Sequence, residues 1–291
     1  MRLMVGTSLG EDQPSVFRLD AGGALDLTAT LPAVGRDLSA LAADPALAAE
    51  AAAVSGMGKD PGAVRPALPI ARPGKVVCLG LNYAEHAAEG GFEVPDYPAL
   101  FLRVQSSLVP AEAPLIRPRA SETFDYEAEL MIVVGKGGRH IAEADAPGHI
   151  FGYTTFNDGS IRKYQRMTHQ WTPGKNFDAT GAIGPVVATA DALPADAKGL
   201  RIQTRLNGET LQDSSTADMI FAPARTIAIL SEVMTLEPGD LIALGTPPGV
   251  GHARRPPVWM KPGDTVEVEI EGIGICRNPV VDEDAAHATA E

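Results

Sequence analysis

The chain has 291 residues, with 24 Lys and Arg against 37 Asp and Glu, giving a formal net charge of -13. That excess disfavours the phosphate backbone of nucleic acids and anionic membrane surfaces, so neither is expected as a partner. Hydrophobic residues make up 45% of the chain, enough for a large core, while two cysteines, Cys78 and Cys276, exclude a disulfide framework or a paired metal-thiolate spacing.

The first stretch alternates short apolar runs with turn residues (LMVGTS, SVFRLD, GALDLTAT), which predicts a few antiparallel strands. RDLSALAADPALAAEAAAV then predicts an Ala-rich helix, and GKDPGAVRPALPIARPG, from Gly58 to Gly74, is a Pro-punctuated connector. Because KVVCL at Lys75 to Leu79 is a fresh apolar strand, a boundary is placed near residue 70. A small N-terminal β-rich domain is expected over 1–70 and a catalytic domain over 71–291. Past that point NYAEHAAE predicts a short helix, ELMIVVG a buried strand, and RKYQRMTHQ a helical turn. GPVVATA and IQTRLNGETLQ predict sheet with a hairpin turn at Asn207 and Gly208, and PARTIAILSEVM predicts a helix that Pro223 begins. DTVEVEIEGIG alternates like a half-buried strand, and the tail from about residue 283, DEDAAHATAE, is expected to fray. The start, MRLMVGTSLGEDQ, turns polar after five residues and runs such as IAIL are too short to span a bilayer, so a cytoplasmic location is expected.

In FDYEAELMIVVG, Glu127 and Glu129 are two apart, and on a strand alternate side chains share a face. Flanking Phe124, Leu130 and Ile132 imply burial, where two like charges raise their own pKa unless a cation compensates. Asp158, next to Gly159 in GYTTFNDGS, is the best third carboxylate. All-oxygen ligation favours Mg²⁺, Mn²⁺ or Ca²⁺ over zinc.

The stretches CLGLNYAEHAAE, DYEAELMIVVGK, GYTTFNDGS, TPGKNFD, GPVVAT, LNGETLQDSSTADMIF, TLEPGDLIALGTPPGVG and KPGDTVEVEIEGIG, in this order, resemble the fumarylacetoacetate hydrolase family over about Lys75 to Val281. The resemblance implies an α+β, β-rich fold, a mixed β-sheet roll or sandwich with few helices. It also implies a homodimer with one divalent cation per subunit, held by Glu127, Glu129 and Asp158. Hydrolytic carbon–carbon cleavage is the implied activity, with some members acting as decarboxylases or isomerases. Residues 1–70 resemble only the variable N-terminal extensions of some members.

His86 and Glu89 lie three apart, so a helix would bring imidazole and carboxylate together as a general base with its orienter, Glu85 being the competitor for the orienting role. Lys175, in TPGKNFD, matches the family's active-site lysine, where a positive charge can stabilise an enolate. Arg162 and Gln165 follow Asp158 by four and seven residues and match positions that hold a substrate carboxylate in the family. Here NDGSIRKYQ departs from the commoner NDVSARDWQ, with Gly159 and Lys163 in place of more typical residues. Thr246, in GTPPGVG, is either a substrate-carboxylate contact or part of a structural turn. Tyr83 and Arg103 complete the pocket candidates. His140, His169 and His252 have no companion at ligand spacing and are set aside, and HARRPP is read as a basic loop.

These features predict a divalent-metal-dependent hydrolase cleaving a carbon–carbon bond of a small anionic 1,3-diketo or 2-oxo acid, acylpyruvate-like. His86 would activate water, and Lys175 with the metal would stabilise the enolate leaving group. The alternative is a decarboxylase or isomerase/tautomerase of a 2-oxo or 2-hydroxy-dienoic acid using the same site. A more remote one is a non-catalytic metal-binding β-domain, which would have no use for His86, Glu89 and Lys175.

Overall fold

The computed structural model describes residues 1–85 and 95–288. Its strands are β1 (Arg2–Ser8), β2 (Ser15–Asp20), β3 (Gly23–Asp26), β4 (Val64–Pro66), β5 (Val76–Gly80), β6 (Ala99–Leu102), β7 (Leu108–Pro110), β8 (Leu115–Arg117) and β9 (Phe124–Asp125). They continue with β10 (Ala128–Val134), β11 (Ile150–Asn157), β12 (Ser160–Ile161), β13 (Gly181–Thr189), β14 (Arg201–Leu206), β15 (Glu209–Ser215), β16 (Leu241–Ala243), β17 (Thr265–Ile270) and β18 (Gly274–Asp282). Among the described residues an eleven-stranded sheet runs β3-β2-β1-β13-β11-β10-β16-β5-β6, with β4 on β1 and β7 on β13. A five-stranded sheet, β15-β14-β17-β18-β8, packs across it. Both sheets are mixed: β16 runs parallel to β5 and β18 parallel to β8, while most other pairs are antiparallel. The fold is α+β and strand-rich, as expected.

Strand β10 explains why the sheet is covered on both sides. All seven of its residues are buried, and alternation sends Leu130, Ile132 and Val134 into one apolar cluster with Ile202, Val266 and Val268 of the smaller sheet. Met131 and Val133 enter the opposite cluster with Val187 and Leu241. Full burial of one such side chain contributes about 1.5–3 kcal/mol, so β10 anchors the molecule and carries the acids at its start into the interior.

The boundary expected near residue 70 falls in the connector between β4 and β5. The segment before it is built into the main sheet, with β1 antiparallel to β13 through Leu3 and Val187, and Leu3, Leu27 and Leu38 share the cluster of Met131 and Val133. Two other expectations are corrected. The Ala-rich stretch forms two helices, Ser39–Ala43 and Pro45–Ala53, because Pro45 disfavours helical backbone at Asp44, whose carboxylate instead caps Ala46 and Leu47. The tail is helical over Glu283–Ala288, where Glu283 accepts from the Arg119 N–H and Asp284 meets its guanidinium at 2.8 Å. The hairpin at Asn207 and Gly208 forms as predicted, with φ of 54° and 84°.

Candidate active site

Period-two alternation continues from Asp125 through Glu127 to Glu129 across the break between β9 and β10. Antiparallel pairing of β10 with β11 ends at Ala128 and Asn157, and the Asp158 N–H donates to the Glu127 carbonyl at 2.9 Å. That junction brings together Glu127, Glu129 and Asp158, all buried, with one ligand oxygen from each lying within 4.8 Å of the others. Sheet register alone therefore assembles the three acids expected from the sequence.

Their partners are mostly cations. Lys175 Nζ lies 2.7 Å from Glu127 Oε2 and 2.5 Å from Asp158 Oδ2, and Arg162 Nη2 lies 2.6 Å from Glu127 Oε1. Burial alone would push the Lys175 ammonium down, but Asp158 and Glu127 outweigh it and hold it above its ordinary value, so it stays charged. Glu129 differs. It accepts from the Gly245 N–H at 2.8 Å and meets no cationic side chain among the described residues. Burial, then Asp158 and Glu127, push its carboxyl well above the ordinary carboxylate range. A buried acid facing two others, with a backbone N–H for company, fits a hard divalent cation.

These groups open onto a pocket of about 590 Å³, whose wall includes Glu127, Glu129, Arg162, Gln165, Lys175 and Thr246. Arg162 and Gln165 sit on the short helix Arg162–Gln165, as the spacing predicted, and are bonded to each other at 2.8 Å. Thr246 is buried, its Oγ1 accepting from Gln212 Nε2 at 2.9 Å. Trp171, edge-to-face on Phe101 at 5.7 Å, closes one side, and Phe101 also lies 4.9 Å beneath the Lys175 ammonium. Gly159, which departs from the usual motif, has no room for a side chain: a Cβ would stand 2.0 Å from the Thr180 carbonyl.

Two pocket candidates are placed elsewhere. Arg103 lies behind Asp158, which it pairs with, and it also donates to the Gly159 carbonyl, Ser107 and Thr180; it positions the acid and does not line the pocket. Tyr83 is buried, bridged to Met219, and off the pocket wall as well. His86 and Glu89 lie outside the described residues. Asp125 and His252 were missed. Asp125 is fully buried and accepts from Arg162 Nε at 2.8 Å, and His252, on the pocket wall, lies 3.2 Å from it. Burial raises the Asp125 carboxyl, but Arg162 and His252 outweigh it and hold it below its ordinary value. Asp125 was legible as the third acid of the alternation, D-x-E-x-E; its partner is remote in sequence and was not.

Residues 75–281 match the family model described as fumarylacetoacetate (FAA) hydrolase C-terminal. The chain belongs to the fumarylacetoacetate hydrolase family. It is 44% identical over 214 residues to "Oxaloacetate tautomerase Fahd2a, mitochondrial" of Rattus norvegicus, covering 73% of this chain and 68% of that protein. The fumarylacetoacetate hydrolase structure from Exiguobacterium antarcticum superposes with a TM-score of 0.81 at 33% identity, covering 97% of this chain and all of the other. The 5-carboxymethyl-2-hydroxymuconate delta-isomerase structure from Mycobacterium smegmatis gives 0.77 at 30% identity, covering 97% and 99%. Members of the fumarylacetoacetate hydrolase family are enzymes that bind divalent metals, and the buried triad here fits such an ion. No helix among the described residues is long and apolar enough to cross a membrane.

Proposed function

We propose that the protein is a metal-dependent tautomerase or isomerase that interconverts keto and enol forms of a small 2-oxo acid, with a dicarboxylate such as oxaloacetate as the first substrate to test. Lys175 carries the proposal: a buried ammonium on the pocket wall, fixed by two carboxylates, can hold the negative oxygen of an enolate more tightly than that of the ketone. A divalent cation held by Glu127, Glu129 and Asp158 would add Lewis-acid charge to the same end. Arg162 has spent its guanidinium on Asp125, Glu127 and Gln165, so it fixes the wall and leaves Lys175 and Thr246 to meet the ligand's oxygens.

Proton transfer is preferred to carbon–carbon cleavage because the rat relative is named a tautomerase and the M. smegmatis neighbour an isomerase. The hydrolase expected first is the second reading, favoured by the His86 and Glu89 pair as a water-activating base. A homodimer, a cytoplasmic location and magnesium as the resident ion belong to the proposal too. To test it, oxaloacetate, an acylpyruvate and a 2-hydroxy-dienoate are offered separately with Mg²⁺ or Mn²⁺. Metal-dependent enol–keto interconversion without new carboxylic acid is expected, and stoichiometric release of pyruvate plus acid from the acylpyruvate would favour the hydrolase instead.

A further inference from the structure

The tautomerase proposal needs a group that takes a proton from carbon and returns it; of the two histidines on the described wall, His169 and His252, it is His252 that has a buried carboxylate behind its ring. His252 lies on the one-turn helix Gly251–Ala253, at the edge of the pocket that Lys175 and Thr246 also line. The turn is pinned from three directions. Gly251 and His252 donate their N–H groups to Asp125 at 2.7 and 3.0 Å, Val258 donates to the Gly251 carbonyl at 3.0 Å, and Arg254 reaches back to the carbonyls of Gly249 and Leu211. Position 251 admits no side chain, since a Cβ there would stand 1.9 Å from the Val258 carbonyl and 2.6 Å from Asp125 Oδ1.

The imidazole is oriented by the same carboxylate that holds the backbone. Its Nδ1 lies 3.2 Å from Asp125 Oδ2, and that carboxylate already accepts from Arg162 Nε, the Tyr126 N–H and the two N–H groups of the turn. A carboxylate held by that many donors can only accept, so Nδ1 carries the hydrogen and the lone pair of a neutral ring resides on Nε2. Nε2 has no hydrogen-bond partner among the described residues, and the side chain, 13% exposed, lies on the pocket wall. Asp125 thus fixes the tautomer and stands ready to stabilise the imidazolium, as an acid does behind a histidine base.

We propose that His252, through Nε2, is the catalytic residue that moves the carbon-bound proton of the substrate. In the keto-to-enol direction Nε2 takes a proton from C3 of the 2-oxo acid. The C3–H electron pair becomes the C2–C3 double bond, and the carbonyl pair moves onto O2 beside the Lys175 ammonium. Water supplies a proton to O2, and the imidazolium returns its own to water, so one proton leaves carbon and one arrives at oxygen. Ketonisation runs the same steps backward. A neutral imidazole held by a carboxylate at Nδ1 can accept a proton at Nε2 and give it back from the same atom, so it serves both directions.

The inference rests on the tautomerase proposal, and its test separates the two. Wild type, His252→Gln, His252→Ala and His86→Gln proteins, loaded with Mg²⁺, are assayed for oxaloacetate ketonisation and for protein-dependent uptake of deuterium at C3 in D₂O by NMR. His252→Gln should lower both rates roughly 10²- to 10⁴-fold with KM moving less than about threefold, and Mg²⁺ affinity by calorimetry should match wild type. Added imidazole should restore exchange to His252→Ala, a rescue that no packing role would show. Exchange at wild-type rate in His252→Gln, with loss in His86→Gln, would give the carbon proton to His86 and overturn the assignment while leaving the tautomerase proposal standing. A wild-type protein that accelerates neither process would remove both.

Discussion

Glu129 is where the metal assignment is most exposed to test, because it is the buried acid that no cationic side chain answers among the described residues. Glu129→Gln keeps the volume and removes the charge, so Mg²⁺ affinity should fall at least about tenfold and turnover with it. The metal-free variant should melt no lower than metal-free wild type, since repulsion from Asp158 and Glu127 is relieved. A metal-free midpoint several degrees lower would mean that Glu129 is structurally paired and the cation sits elsewhere. Ala at Glu127, Glu129 or Asp158 should likewise abolish metal-dependent turnover. Lys175→Met tests the other half of the site. Loss of one donor aimed at developing oxyanion charge typically lowers kcat by roughly 10²- to 10³-fold, and the same is expected here while Mg²⁺ still binds, as removing a neighbouring positive charge cannot weaken a cation's attraction. Loss of Mg²⁺ binding in Lys175→Met would instead make the ammonium a prop for the triad.

At the scale of elements, β10 decides both stability and site. Ile132 is fully buried between the two sheets, so Ile132→Ala should cost about 2–5 kcal/mol, read from urea unfolding, while the residues of the metal triad stay in place. A loss under about 1 kcal/mol would show that the smaller sheet does not pack there as described. This strand was plain in the sequence because a run of apolar residues ending in Gly has few other fates, and the acids at its start came with it. The Arg162–Gln165 turn and the Pro223–Val233 helix were legible for the same local reasons, helical spacing and a proline at the first turn. What escaped were features set by neighbours far along the chain. Arg103 looked like a pocket residue, but a strand 55 residues later places Asp158 against it. His252 looked solitary because its partner, Asp125, lies 127 residues earlier. The single helix expected over the Ala-rich stretch gave way to Pro45, whose effect on Asp44 was readable and was outweighed by the run of alanines.

For the whole molecule, the net charge is -13, and the pocket cations Arg162 and Lys175 are already paired with Asp125, Glu127 and Asp158, so the charge that attracts an anionic substrate has to come from the divalent cation of the proposal. A homodimer is expected from family membership. Light scattering across micromolar concentrations should return twice the chain mass, and a monomer throughout would contradict it. The most direct measurement of the central claim follows oxaloacetate freshly supplied as its enol, with Mg²⁺ and catalytic amounts of protein. Enol absorbance is recorded while keto form, pyruvate and carbon dioxide are quantified in the same sample. The account predicts that enol loss is accelerated far beyond the buffer rate and is matched mole for mole by keto oxaloacetate, and that chelation abolishes the acceleration. Enol loss matched by pyruvate and carbon dioxide, or no acceleration at all, would contradict it.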